Sequence, residues 1–181
     1  MVCPWQASSI LTVPIRKLFH NTQHILSPYL STGMTTMDIG CGIGYFTLAM
    51  AGMVGMSGKV VAVDLQPEML EGLKKSIART GENNIIPHQC AHNTLRVEEW
   101  NGTVDFALVF YMLHEVPDPE RLIMELHAAL SAEGKLLFVE PVLHVSGAAF
   151  QSSLKMITEC GFTPEEEPKI PLSRAVTLRR S

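Results

Sequence analysis

The chain has 181 residues, a mass of 20.0 kDa and a net charge of -4, with 46% hydrophobic and 18% charged residues. A mean hydropathy of +0.17 excludes a disordered chain, and a pI near 6.0 argues against a general nucleic-acid binder. No apolar run approaches the roughly 20 residues of a membrane helix, so a compact, soluble globule with a core of its own is expected.

Residues 1–33 precede the first strand. Ala7 to Val13 is mildly apolar, but no basic segment precedes it and Pro14 interrupts it, which argues against a secretory signal. Pro4, Pro14 and Pro28 predict a loop and one or two short helices packed on the domain, with Trp5, Phe19 and His20 as candidates to cover a ligand cleft. The first strand, Thr35–Ile39, runs into a glycine-rich turn that opens a helix. Apolar runs of strand length follow at Lys59–Val63, Asn84–His88, Val104–Phe110 and Lys135–Val139. Most are continuously hydrophobic, as parallel strands covered on both faces should be. Between them, Pro67–Arg79 places Met69, Leu70, Leu73 and Ile77 on one helix face, and Asp118–Leu130 does the same with Leu122, Ile123, Leu126 and Leu130. Gly58, Gly134 and Gly161 stand where helices end and strands begin. Beyond Gly161, Pro164, Pro168 and Pro171 leave no room for a helix. Phe162–Lys169 and Ser173–Arg180 therefore read as two strands joined directly, the last antiparallel to its partner. Such alternation predicts an α/β fold with a mostly parallel sheet.

The four cysteines, Cys3, Cys41, Cys90 and Cys160, form no C-x-x-C pair and read as reduced thiols of a cytoplasmic protein. His20 and His24 are four apart, and Cys90 and His92 share one face if they lie on a strand. Neither pair has the further ligands a metal site needs, so no metal is expected.

The most informative segment is Asp38-Ile39-Gly40-Cys41-Gly42-Ile43-Gly44-Tyr45. It ends a strand and opens a helix, which is where open α/β sheets bind ligands. Its glycines permit a tight turn and close ligand approach. Twenty residues beyond Gly44, Asp64 closes the second strand, and a carboxylate there can accept from both hydroxyls of a ribose. Together these features indicate an adenosine-containing cofactor. The G-x-G-x-x-G dinucleotide spacing is absent: Tyr45 or Thr47 occupies the last position in either frame. An acid two residues before the turn suits a ligand with an ammonium group better than a pyrophosphate. A nicotinamide-dependent oxidoreductase is thus the weaker alternative.

These residues, with Val63-Asp64, Gln66–Leu70, Val104–Phe110, Leu113-His114-Glu115-Val116 and Gly134–Pro141, resemble the class I S-adenosylmethionine (SAM) dependent methyltransferases. The likeness covers residues 34–181 and is nearest to the small-molecule branch that includes the ubiquinone and menaquinone biosynthesis methyltransferases. It implies a Rossmann-like three-layer sandwich whose seven-stranded sheet runs 3-2-1-4-5-7-6 with strand 7 antiparallel. It also implies that Gly40, Cys41 and Gly42 line the methionine part of SAM, that Gly44 belongs to the same cofactor-binding turn, and that Asp38 lies near the ammonium through water. Asp64 would hold the ribose, Leu65 and Met69 would flank the adenine, and Phe110 would offer its backbone carbonyl to the ammonium. Family members carry an acid after the third strand for the adenine amino group; that position here is Ala91, leaving a backbone contact or His92 as substitute. Tyr45 is a further candidate for the methionine moiety.

Methyl transfer from a sulfonium needs alignment and a dry pocket, and a base only when the acceptor must lose a proton. His114 is the candidate base, because Leu113–Asp118 resembles the His-Asp segment of plant-type O-methyltransferases. Packing or capping is its alternative role. Glu140 and His144, after the fifth strand, read as acceptor contacts or as loop hydrogen-bonding groups. Arsenite methyltransferases are relatives with catalytic cysteines, but no paired thiols occur here. The expected function is methyl transfer from SAM to a small molecule, leaving S-adenosylhomocysteine. The alternative is a non-catalytic SAM-binding regulatory or partner subunit. With only Pro141–Ser146 between the fifth strand and the last helix, the acceptor falls to the N-terminal segment, the loop after the fourth strand, or a second subunit of a homodimer.

Overall fold

A computed structural model describes residues 20–181, which fall into two compact units, one ending at Cys90 and the other spanning Ala91–Ser181. Trp5, Phe19 and the stretch from Ala7 to Val13 lie outside the described residues.

The first unit contains α1 (Thr22–Leu26), β1 (Thr35–Ile39), α2 (Tyr45–Val54), β2 (Lys59–Asp64), α3 (Pro67–Thr80) and β3 (Ile85–Gln89). β2 is buried from Val60 to Asp64, the pattern of a strand covered on both faces, and it pairs in parallel with β1 and β3. α3 starts on Pro67 and ends at Gly81 in a left-handed cap, and it buries Met69, Leu70 and Leu73 as its periodicity predicts.

The second unit contains β4 (Val104–Phe110), α4 (Pro119–Ala129), β5 (Leu130–Pro141), α5 (Gly147–Glu159), β6 (Phe162–Glu166) and β7 (Ser173–Arg180). The Asp118 carboxylate caps α4 by accepting from the Arg121 N–H at 3.1 Å. β4 and β5 are parallel, whereas β7 runs antiparallel to both β5 and β6. The sheet order is β3-β2-β1-β4-β5-β7-β6, the order expected from the resemblance.

Several boundaries differ from the sequence reading, each for a local reason. β5 begins at Leu130 rather than Lys135, because Leu130 is itself buried and pairs with Val104. The register then shifts, and a Cβ on Gly134 would stand 2.8 Å from the Val104 carbonyl oxygen. Asn84 is drawn out of β3 because its amide donates to the Ala51 and Gly55 carbonyls at 3.0 and 2.8 Å, closing the end of α2. β6 stops at Glu166, two residues before Pro168, and as the outer strand it tolerates Pro164. His20 precedes α1 instead of sharing a helix face with His24, and Cys90 and His92 lie beyond the end of β3.

Candidate active site

In the first unit the turn between β1 and α2 is anchored from β2. The Gly40 and Cys41 N–H groups donate to the Val63 carbonyl at 2.9 and 3.1 Å. Gly40, Gly42 and Gly44 all have positive φ (74°, 56° and 95°), a conformation costly for other residues. Asp64 is buried at the end of β2, where its Oδ2 accepts from the Gly42 N–H at 2.8 Å and its Oδ1 from the Gln66 N–H at 2.9 Å. Burial raises its carboxyl above the ordinary aspartate value, opposed by the N–H groups of Gln66, Gly42 and Leu65.

Asp38 is also buried, and its Oδ2 accepts from the Thr47 hydroxyl at 2.6 Å. Sequence reasoning missed Thr47; the available signal was that a buried aspartate needs a donor, and the first turn of the next helix offers one. The Cys41 thiol is pushed well up by burial and by the nearby Asp38 and Asp64 charges, so it stays protonated among Ala62, Leu70 and Leu73. The Tyr45 hydroxyl donates to the His20 carbonyl at 2.6 Å. Met69 is buried and Leu65 half-buried. The Cys90 N–H donates to the Asp64 carbonyl at 3.1 Å.

In the second unit, Ala91 forms a backbone turn with Thr94, its N–H donating to the Thr94 carbonyl at 2.9 Å, while His92 is exposed. Phe110 ends β4 buried, with its ring 4.5 Å from that of Tyr111, whose φ is 61°. The chain then makes a short 3-10 turn, Leu113–Glu115. There the His114 N–H donates to Glu140 Oε1 at 3.0 Å, and His114 Nδ1 lies 2.7 Å from Glu140 Oε2. Glu140 is 2% exposed and the His114 side chain 28%. Burial raises the Glu140 carboxyl, His114 lowers it, and Glu115 adds to the rise. His144 is exposed in the loop after β5 and does not join the pair.

Residues 30–169 match the model of a family described as a methyltransferase domain. The chain belongs to that family. Demethylmenaquinone methyltransferase of Lactococcus lactis subsp. lactis (strain IL1403) is 29% identical over 129 residues, 70% of this chain and 50% of that protein. The chain thus spans about half the length of the curated relatives it matches. A SAM-dependent methyltransferase from Aquifex aeolicus superposes with a TM-score of 0.88 at 21% identity, covering 99% of this chain and 100% of that one. The [4+2]-cyclase SpnF superposes with a TM-score of 0.73 at 12% identity, covering 87% and 80%.

SAM is the cofactor of this family of methyltransferases, and the first unit fits it. Among the described residues, a Cβ on Gly42 would meet nothing within 4 Å, so the backbone of the turn is open to close approach there. The Asp64 carboxylate accepts from the N–H groups of Gly42, Gln66 and Leu65, and with about four lone-pair sites it keeps acceptor capacity that a ribose hydroxyl could use. Among the described residues, no group of three or more His, Cys, Asp or Glu side chains is placed to hold a metal, and no helix is long and apolar enough to cross a membrane.

Proposed function

We propose that the protein transfers the methyl group of SAM to a small-molecule acceptor. The observation that carries this reading is the glycine turn tied to Asp64, with open space at Gly42 and free acceptor capacity on the buried carboxylate. Asp64 holds the ribose, Leu65 and Met69 flank the adenine, and Gly40, Cys41 and Gly42 border the methionine part, with Gly44 completing the cofactor-binding turn. Asp38, through water, and the Phe110 carbonyl serve its ammonium, and Tyr45 contacts the methionine moiety. With no acid at Ala91, the adenine amino group relies on backbone or on His92. When bound, SAM supplies a methyl carbon already activated by a sulfonium leaving group. His114 takes the proton that a protic acceptor sheds. The matched relatives are named demethylmenaquinone methyltransferases, so we take a quinol-type ring as the first acceptor class to test. Residues 34–181 form the SAM-binding domain, and residues 1–33, most of which lie outside the described residues, form a segment that packs on it or covers the cleft. The cytoplasm, where thiols such as Cys41, Cys90 and Cys160 stay reduced, is the compartment we assign.

The test is calorimetric titration with SAM, S-adenosylhomocysteine and NADH, followed by a methyl-transfer assay on naphthohydroquinone. Binding of the first two with NADH silent, and a methylated product, are expected. Silence from SAM in folded protein would overturn the reading. SAM binding without transfer to any protic acceptor would favour the non-catalytic alternative.

A further inference from the structure

Both oxygens of the Glu140 carboxylate are committed to one residue. Oε1 accepts from the backbone N–H of His114, and Oε2 lies 2.7 Å from its Nδ1. When Glu140 is ionised it has no proton to give, and the short contact then places the hydrogen on Nδ1. A neutral imidazole protonated there has a bare lone pair on Nε2. That nitrogen is 4.0 Å from Glu115 Oε1, beyond hydrogen-bond distance, and the side chain remains partly exposed. The backbone contact alone does not explain the choice of side chain. A neutral amide on β5 could cap the His114 N–H without burying a charge, which is costly unless a partner offsets it. A carboxylate adds control of the tautomer and a countercharge for an imidazolium.

We propose that Glu140 is a positioning residue that holds His114 in its Nδ1–H tautomer and so presents Nε2 as a proton acceptor. This rests on the methyl-transfer reading above and narrows the acceptor to one with an acidic hydroxyl, such as a phenol, enol or quinol. The acceptor O–H bond breaks, the proton binds Nε2, and the electron pair stays on oxygen. In an aromatic acceptor that pair also enriches the ring carbons ortho and para to the oxygen. Oxygen or a ring carbon then takes the methyl group as the methyl–sulfur bond breaks with its electron pair going to sulfur. A ring carbon so methylated loses its own hydrogen as a proton to water, which restores the aromatic ring. Glu140 offsets the charge on the imidazolium until the proton passes to water.

The discriminating variant is Glu140→Gln. Its Oε1 still accepts the His114 N–H, but its amide NH2 is a donor and requires the lone pair of Nδ1, which moves the proton to Nε2. Nitrogen-15 NMR of the full chain, with His114 assigned by its loss in His114→Asn, reads the tautomer without any acceptor. The wild type should be protonated at Nδ1 and Glu140→Gln at Nε2, with SAM affinity from calorimetry changed less than twofold. Turnover of naphthohydroquinone should fall about 100-fold or more, the range lost with a general base. A wild-type signal from the Nε2–H tautomer, or no change in the variant, would overturn the proposal. So would full turnover in a variant whose tautomer has flipped. If Glu140→Gln fails to fold, the wild-type spectrum alone decides. Wild type that binds SAM in the expected tautomer but leaves naphthohydroquinone untouched counts against the quinol acceptor, not against Glu140.

Discussion

Burial holds the Asp64 carboxyl above the ordinary aspartate value, while its N–H partners pull it back. The folded protein therefore keeps this proton to higher pH than the unfolded chain does. The stability cost of ionising it grows as pH rises through that window and is constant above it. Affinity for a ribose diol runs the opposite way, because the hydroxyls need an ionised acceptor. SAM binding should weaken on acidification through that raised range. Asp64→Ala should remove that dependence and cost about 1.5–3 kcal/mol of SAM affinity; calorimetry over a pH series measures both, and unchanged affinity would refute the ribose role. Cys41 yields a second residue-level expectation. A thiol kept protonated by burial and two neighbouring carboxylates is a poor nucleophile. Iodoacetamide should leave Cys41 unmodified in the native protein and alkylate it after unfolding; rapid native labelling would reopen a thiol-based chemistry.

At the scale of elements, two glycines of one turn separate folding from ligand binding. A Cβ on Gly44 would stand 2.5 Å from Leu73 Cδ1, and Leu73 is fully buried in α3. Gly44→Ala adds this overlap to the strain of a φ of 95° and should destabilise the fold by about 2–4 kcal/mol, with loss of SAM binding as a consequence. Gly42 has no neighbour in the way among the described residues, so Gly42→Val bears backbone strain of about 1–2 kcal/mol yet fills the space proposed for the ligand. Denaturant unfolding should find Gly42→Val folded and blind to SAM, whereas Gly44→Ala should be the less stable of the two. Strands, helix faces and the glycine turn were legible because each is written in local periodicity and turn chemistry. What stayed hidden depends on partners far along the chain. The start of β5 follows from Leu130 meeting Val104, and Asn84 leaves β3 for the end of α2. His114 and Glu140 were each visible as polar residues after a strand. Their pairing across 26 residues emerges only when β4 and β5 lie side by side.

For the molecule as a whole, the likeness to SpnF, named a [4+2]-cyclase, warns that the fold does not dictate the reaction. Cofactor binding and chemistry must therefore be tested by different residues. A ligand that binds only the folded state stabilises it by about 2.7 kcal/mol at a hundredfold excess over its Kd. For a chain of this size, about 2–4 °C per kcal/mol converts this into a Tm increase of about 5–10 °C. SAM and S-adenosylhomocysteine should both produce it, and NADH should not. At the same SAM concentration, the affinity loss expected for Asp64→Ala leaves under about half of that stabilisation. If the imidazole serves the acceptor, as proposed, His114→Ala should keep all of it while losing turnover. Equal shifts in both variants would place Asp64 outside the cofactor site. Loss of the shift in His114→Ala would move His114 from proton transfer to cofactor binding.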